Sequence, residues 1–195
     1  MDVNVTYRHN AMDITSLDAF FSIRGGFHEQ IREVCFVRAL GECAGFAEKL
    51  GEIDRRMGKE SLAGRLVYAR IGGLPNISGE DKVRIYAEAY DRWAREQVFT
   101  LPHIKQNPLL GKAVSGALVK TEGIYREGKG NASGSMIRNF GIKLLFWLEE
   151  KASACLEGWK ENSCSKVVLE NVGKEQEYLF GYFLSLLGCD VLLLQ

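Results

Sequence analysis

Two arginines, each followed closely by glycine, have the spacing most suited to chemistry in this sequence. Arg38 lies in VCFVRALG (34–41) and Arg70 in LVYARIGG (66–73). Each segment is a short run of β-branched and aromatic residues that ends at glycine, a pattern that predicts a buried strand. A guanidinium at a strand end, beside exposed backbone N–H groups, suits a phosphate or a carboxylate. The candidate ligand-binding residues from this pattern are Arg38, Gly41, Arg70 and Gly72.

An alternative for both arginines stays open at this point. Each guanidinium can pair with a nearby acid, or extend past the sheet edge into solvent. The distinction depends on the elements that position them. Between the two predicted strands, apolar residues follow one another at helical spacing from Phe46 to Met57. Residues 33–71 therefore predict a βαβ unit, and ligands of parallel sheets bind beyond the carboxyl ends of the strands.

The middle of the chain, residues 78–158, is predicted to be helical. Ser78 and Asp81 resemble a capping box that starts a helix over 79–97. A second helix is predicted over 109–126, followed by a loop over 127–135. A long helix comes next, with its apolar face formed by Ile137, Phe140, Leu144, Trp147, Leu148 and Cys155. Asn139 and Lys143 flank this face four residues apart, and we add both to the candidate ligand-binding set; a solvated helix shoulder is the alternative.

The last segment, residues 165–195, repeats the strand, helix, strand order. SKVVLEN and DVLLL predict strands, and EQEYLFGYFLSLLG between them predicts a helix. The predicted fold class is therefore α/β, with a mostly parallel sheet from two βαβ units and a helical middle segment. We expect residues 1–195 to form a single α/β domain.

Several functional classes are disfavoured by composition and motifs. The chain has 25 basic and 25 acidic residues, so no net field attracts nucleic acid. No segment is apolar enough over its whole length to predict a membrane span. The three histidines are scattered, the five cysteines form no C-x-x-C pair, and neither a P-loop nor a G-x-G-x-x-G fingerprint is present. The sequence therefore predicts no metal site, and its cofactor remains unknown.

Several segments together resemble the N-terminal part of the YceG-like proteins. They are FVRALGE, the stretch from MGKE to RIGGLPNISGEDKVRIYAEAY, RNFGIKLLFWLEE, and KVVLENVGKEQEYLFGYFLSLLGCDVLLLQ. The resemblance implies a bacterial, cytoplasmic protein of a biosynthetic module associated with tellurium-resistance, TerD-type stress genes. It also implies that the chain is the N-terminal part of a longer protein. It implies no reaction and no catalytic residue.

Two functional hypotheses follow. In the first, the domain binds a small phosphate- or carboxylate-bearing metabolite at the carboxyl edge of the sheet, as part of a biosynthetic protein. In the second, it is a non-catalytic scaffold that docks other Ter-system proteins through an apolar surface. A concave pocket at the sheet edge favours the first hypothesis, and an extended apolar patch favours the second. Whether the protein is an enzyme stays open.

Overall fold

The computed structural model describes residues 6–10, 16–22, 27–28, 31–41, 44–160 and 165–195. Within these ranges the strands are β1 (Thr6–Asn10), β2 (Phe27–His28), β3 (Ile31–Ala39), β4 (Val67–Ile71), β5 (Ser165–Leu169) and β6 (Cys189–Leu194). The α-helices are α1 (Leu17–Ser22), α2 (Phe46–Leu62), α3 (Glu80–Glu96), α4 (Pro102–Lys105), α5 (Pro108–Lys129), α6 (Gly134–Lys151) and α7 (Glu175–Leu186). A 3₁₀ turn covers Ser153–Cys155.

The strands form one sheet in the order β1-β3-β6-β5-β4, and every pair along this path is parallel. The short β2 pairs with β3 in the antiparallel direction. This confirms the α/β class. The predicted βαβ unit over 165–195 joins neighbouring strands, β5 and β6. The one predicted over 33–71 does not, because β6 and β5 lie between β3 and β4, so α2 crosses two strands.

The two faces of the sheet are covered differently. Helices α1 and α2 cover one face, where Phe20, Leu50 and Ile53 pack with Val168 and Leu192. The other face carries a larger core to which α3, α5, α6 and α7 contribute. Successive residues of a strand point to opposite faces, so β6 supplies Leu192 to the first core and residues 191 and 193 to the second.

The predicted helices are confirmed, with corrections at their ends. The capping box at Ser78 is wrong: α3 begins after Gly79, whose φ is 90°, and no side chain caps it. Helix α5 continues through Lys129, so the loop before α6 is shorter than predicted. Two other starts have side-chain caps, because Asn107 accepts a hydrogen bond from the N–H of residue 110 (3.1 Å) and Ser133 from that of residue 136 (3.3 Å).

The predicted apolar face of α6 is buried as expected, from Ile137 to Leu148. Cys155 is also buried but lies in the 3₁₀ turn beyond the helix. In the part of the chain that the structure describes, no helix combines the length and the apolar character that a membrane span requires.

Candidate functional site

A cleft of about 280 Å³ opens at the carboxyl edge of the sheet, and we call it the edge cleft. Its walls come from the ends of β3, β4, β5 and β6 and from the first residues of α2. The lining residues are Ala39, Gly41, Phe46, Ala47, Leu50, Arg70, Glu170, Asn171, Leu194 and Gln195.

The edge cleft lies where the chain leaves the sheet in opposite directions. After β3 the chain enters α2 on one face, and after β5 it enters α7 on the other face. Strand β6 lies between these two strands, so its end at Leu194 is left between the diverging connections. A crevice of this type is where open α/β sheets bind ligands.

Backbone hydrogen bonds fix the rim of the edge cleft. The Gln195 N–H donates to the Ala39 carbonyl (3.1 Å), and the Gln195 carbonyl accepts from the Gly41 N–H (3.0 Å). Gly41 has a φ of 73°, a left-handed conformation that glycine adopts without steric cost. The Leu194 carbonyl also accepts from the Val172 N–H (3.1 Å). The loops after β3 and β5 are therefore both tied to the end of β6.

Arg70 points into the edge cleft from β4 and is paired with two acids. Its Nε and Nη2 both contact Glu170 Oε1, at 2.8 and 2.5 Å, and its Nη1 lies 3.4 Å from Asp54 Oδ2 on α2. Burial lowers the pKa of Arg70, but the hydrogen bond and charge of Glu170 outweigh it and the pKa is raised. The pairing with local acids that the sequence left open is therefore present at Arg70.

Asp54 is itself held by a tyrosine. The Tyr68 hydroxyl donates to Asp54 Oδ1 at 2.8 Å. Burial, with the hydrogen bond to Asp54, raises the pKa of Tyr68, so the phenol stays protonated and remains a donor. Tyr68 and Arg70 are two residues apart on β4 and so project from the same face of the sheet, toward α2.

Glu170 and Asn171 form the wall contributed by the end of β5. The Glu170 side chain is 20% exposed. Asn171 adopts a left-handed φ of 57°, which asparagine tolerates better than most residues, and its side-chain amide donates to the Gly72 carbonyl (2.9 Å). Gly72 therefore supports the cleft through its backbone, and a Cβ placed there would lie 3.6 Å from Glu170 Oε2.

Arg38 lies at the same edge of the sheet but on its other face. Its Nε donates to Gln195 Oε1 (2.7 Å), Nη2 contacts the same oxygen, and the guanidinium lies 6.0 Å from the ring centre of Tyr178 on α7. Three strand spacings separate β3 from β4, which is about 14 Å at roughly 4.8 Å per spacing. The two arginines therefore do not converge on one small anion. Arg38 reaches the edge cleft through Gln195.

Asn139 and Lys143 lie in the helical layer and line neither cleft of this edge. Asn139 is exposed on α6. Lys143 Nζ donates to Gln176 Oε1 (3.2 Å) in the first turn of α7. Gln176 and Tyr178 are about 200° apart around α7, so that helix separates Lys143 from Arg38. Their ligand-binding role stays a prediction, without support from proximity to the other candidates.

A second and wider cleft, about 590 Å³, adjoins the edge cleft on the α1–α2 side. Ala39, Gly41 and Phe46 line both clefts. The second cleft is more apolar, with Leu17 and Phe20 of α1 in its wall. Its charged lining residues, Asp18, Arg38 and Lys49, already have partners. Lys49 Nζ lies 3.1 Å from Asp18 Oδ2, and Asp18 Oδ1 pairs with Arg56. Arg38 donates to Gln195.

Comparison with known families identifies the domain. A model of the YceG domain matches residues 75–195. The chain belongs to the YceG domain family. No match was found among curated proteins, and none among solved structures.

The match to the YceG domain begins after β4, so the edge cleft straddles its boundary. Glu170, Asn171 and Gln195 lie within the matched segment, whereas Arg70 and the start of α2 precede it. Of the six candidate residues named from sequence, only Asn139 and Lys143 fall inside the match.

Sequence reasoning missed Glu170, Asn171 and Gln195. The signal for the first two was present, because EN directly follows the strand KVVL and so occupies the same kind of strand end as the two arginines. Gln195 was identifiable only from the pairing of β6 with β3. No group of histidine, cysteine or acidic residues within the described ranges is arranged to hold a metal ion.

Proposed function

We propose that this YceG domain binds a small metabolite bearing a phosphate or carboxylate in the edge cleft. The observation that carries the proposal is the position of the cleft, at the strand ends between two connections that diverge to opposite faces, with a guanidinium in its wall. Crevices at such points are the usual ligand sites of open α/β sheets.

Two features of the edge cleft favour an anionic group. The first turn of α2, at Phe46 and Ala47, lies in the wall. No side chain of the described residues caps this helix, so its first backbone N–H groups can bind an anion. Arg70 faces them from β4. Because Glu170 and Asp54 already pair with Arg70, an anion must share the guanidinium with them. We therefore expect modest affinity for a bare anion.

For the cellular role we propose what the resemblance implies. The protein would then be a cytoplasmic component of a biosynthetic module in a TerD-type, tellurium-resistance stress system. The YceG domain match supports membership in the family and is compatible with this setting. The proposal concerns binding and assigns no reaction.

The scaffold hypothesis receives less support from the described residues. Their exposed large apolar side chains are spread over separate elements of the fold. Examples are Leu40 after β3, Leu62 at the end of α2, Ile85 on α3 and Val119 on α5. Individual exposed apolar residues are normal on monomeric surfaces. The edge cleft is the more specific feature.

A thermal-shift titration with inorganic phosphate, sugar phosphates, nucleotides and amino acids tests the proposal. A ligand at 100 times its Kd adds about 2.7 kcal/mol of stability. For a chain of this size the expected shift in Tm is on the order of 5–10 °C. We expect at least one anionic probe to stabilise the wild type and to lose that effect in Arg70→Gln.

Arg65→Gln is the matched control. Arg65 is also a strand-proximal arginine paired with a glutamate, at 2.5 Å from Glu60, but it lies outside both clefts. It should retain the ligand-dependent shift. Equal loss in both variants would show a general charge effect, and no shift with any probe would contradict the proposal and favour the scaffold hypothesis.

A further inference from the structure

Glu170 has one carboxylate oxygen, Oε2, that makes no hydrogen bond to the part of the chain that the structure describes. Both contacts from Arg70 fall on Oε1, which leaves Oε2 without a hydrogen bond from any residue within the described ranges. Most of the side chain is buried, and it lines the edge cleft. Two N–H groups of Arg70 hold the carboxylate through Oε1, so Oε2 is fixed in place and can accept a hydrogen bond from a donor outside the protein.

Gly72 lies next to Oε2, although it is not one of the residues that line the edge cleft. A Cβ built at this position would lie 3.6 Å from Oε2, in ordinary van der Waals contact, so the glycine leaves this side of the oxygen uncovered. The Gly72 carbonyl is held by the side chain of Asn171, which fixes the loops after β4 and β5 to each other. The hydrogen bond between Asn171 and Gly72 therefore fixes the backbone on both sides of Glu170 Oε2.

The local charges favour a donor over a second anion at this wall. Arg70 contributes one positive charge, while Glu170 and Asp54 contribute two negative charges. The opposite wall, at the start of α2, has the opposite character, because helix N-termini attract anions. The edge cleft is thus polarised across its width.

We propose that Glu170 is a specificity-determining residue that accepts hydrogen bonds from hydroxyl or ammonium groups of the ligand. The ligand then carries an anionic group at one end and hydrogen-bond donors at the other, as in a sugar phosphate or an amino-alkyl phosphate. This inference rests on the proposed function, since it assigns the second half of the same site. Glu170 would then be the residue that makes such ligands bind more tightly than a bare anion.

Isothermal titration calorimetry of the 195-residue chain tests the inference by measuring the Kd of four probes. The probes are inorganic phosphate, ribose 5-phosphate, 2-deoxyribose 5-phosphate and phosphoethanolamine. We expect wild type to bind ribose 5-phosphate or phosphoethanolamine about tenfold more tightly than inorganic phosphate, the size of effect of one or two hydrogen bonds to a charged acceptor. A preference for ribose 5-phosphate assigns hydroxyl donors, and a preference for phosphoethanolamine assigns an ammonium.

Glu170→Gln should affect the two kinds of probe differently. It removes a negative charge, so inorganic phosphate should bind equally or more tightly. It also replaces the charged acceptor, so the preferred donor-bearing probe should bind at least fivefold more weakly. Misfolding would weaken the binding of every probe, so it cannot explain retained phosphate binding together with weaker binding of the donor-bearing probe. Glu60→Gln, which disrupts the Arg65 pair outside the clefts, should leave both affinities unchanged.

The failures of the two proposals are distinguishable. If inorganic phosphate binds but the donor-bearing probes gain nothing over it, or if Glu170→Gln weakens every probe equally, the role of Glu170 is overturned while the anion site stands. If none of the four probes binds wild type, both proposals fail.

Discussion

The two faces of the sheet are covered by helical layers of different thickness. The α3–α5–α6–α7 face is thick: its core continues from the sheet through several helices, and residues such as Phe140, Leu144 and Leu145 have no exposed surface. The α1–α2 face is thin, with a small core under two helices and both clefts at its upper edge. Both clefts described above open on the thin face, and the proposed function places the ligand there.

The thin face also contains a buried ion pair. Lys166 and Asp190 are opposite each other on β5 and β6, almost fully buried, with Nζ 3.2 Å from Oδ2. Lys166 also donates to the Phe20 carbonyl (3.0 Å), and Asp190 Oδ1 accepts from the Cys35 N–H (2.9 Å). These charges are satisfied within the fold. Glu170, at the other end of β5, is satisfied on only one oxygen, and this difference separates a structural pair from a candidate site.

The largest effect is expected from breaking the buried pair. Asp190→Leu leaves Lys166 charged and buried without its carboxylate, which typically costs about 3–5 kcal/mol of stability. Urea denaturation of Asp190→Leu, Lys166→Met and the double variant measures it. We expect the double variant to be at least about 2 kcal/mol more stable than the sum of the single losses predicts. Additive losses would show that the two groups do not depend on each other.

On the thick face, we expect Gly141→Ala to lower the free energy of unfolding. A Cβ at Gly141 would overlap the Tyr90 ring and the Glu122 carboxylate, both buried against α6. Overpacking of this kind costs about 1–3 kcal/mol. Gly116→Ala is the control, because that helical glycine has no atom within 4 Å of a new Cβ. It should gain up to about 1 kcal/mol. Equal unfolding free energies for the two variants would show that the thick face can adapt.

The sequence predicted the helices and strands better than it predicted which strands lie next to each other in the sheet. Periodicity located α3, α5, α6 and α7, and the strand ends at Arg38 and Arg70, because these depend on local apolar patterns. It could not show that β5 and β6 insert between β3 and β4, since strand order is set by long-range packing. That insertion places the two arginines about 14 Å apart on opposite faces. The sequence pattern therefore placed Arg70 at the sheet edge where the cleft opens, but the other residues of the cleft could be named only from the fold.

Tyr68→Phe tests whether the support of Arg70 from α2 matters. The change removes the hydroxyl that donates to Asp54 (2.8 Å) and retains the ring, so we expect a loss of about 1 kcal/mol in the free energy of unfolding. The anion-dependent thermal shift should also decrease, because Asp54 loses an anchor beside Arg70. Tyr178→Phe, on the other face, removes a hydroxyl with no hydrogen bond among the described residues and should change stability little. A larger loss in Tyr178→Phe would contradict this assignment.

The smallest effect concerns the pH dependence of the thick face. Burial raises the pKa of Glu122, although its hydrogen bond from Tyr90 (2.8 Å) and the charge of Arg126 act in the opposite direction. A carboxyl whose pKa is higher in the folded than in the unfolded protein binds more protons when folded. Its contribution to stability therefore decreases as the pH rises from the unfolded pKa, near 4.5, through the folded pKa.

Glu122→Gln cannot ionise but can still accept a hydrogen bond from Tyr90, so its stability relative to wild type should increase between pH 4 and pH 7. Urea denaturation at several pH values measures this difference, and a constant difference would show that Glu122 titrates at its ordinary pKa. No such dependence is expected from Gly116→Ala, which changes no ionisable group.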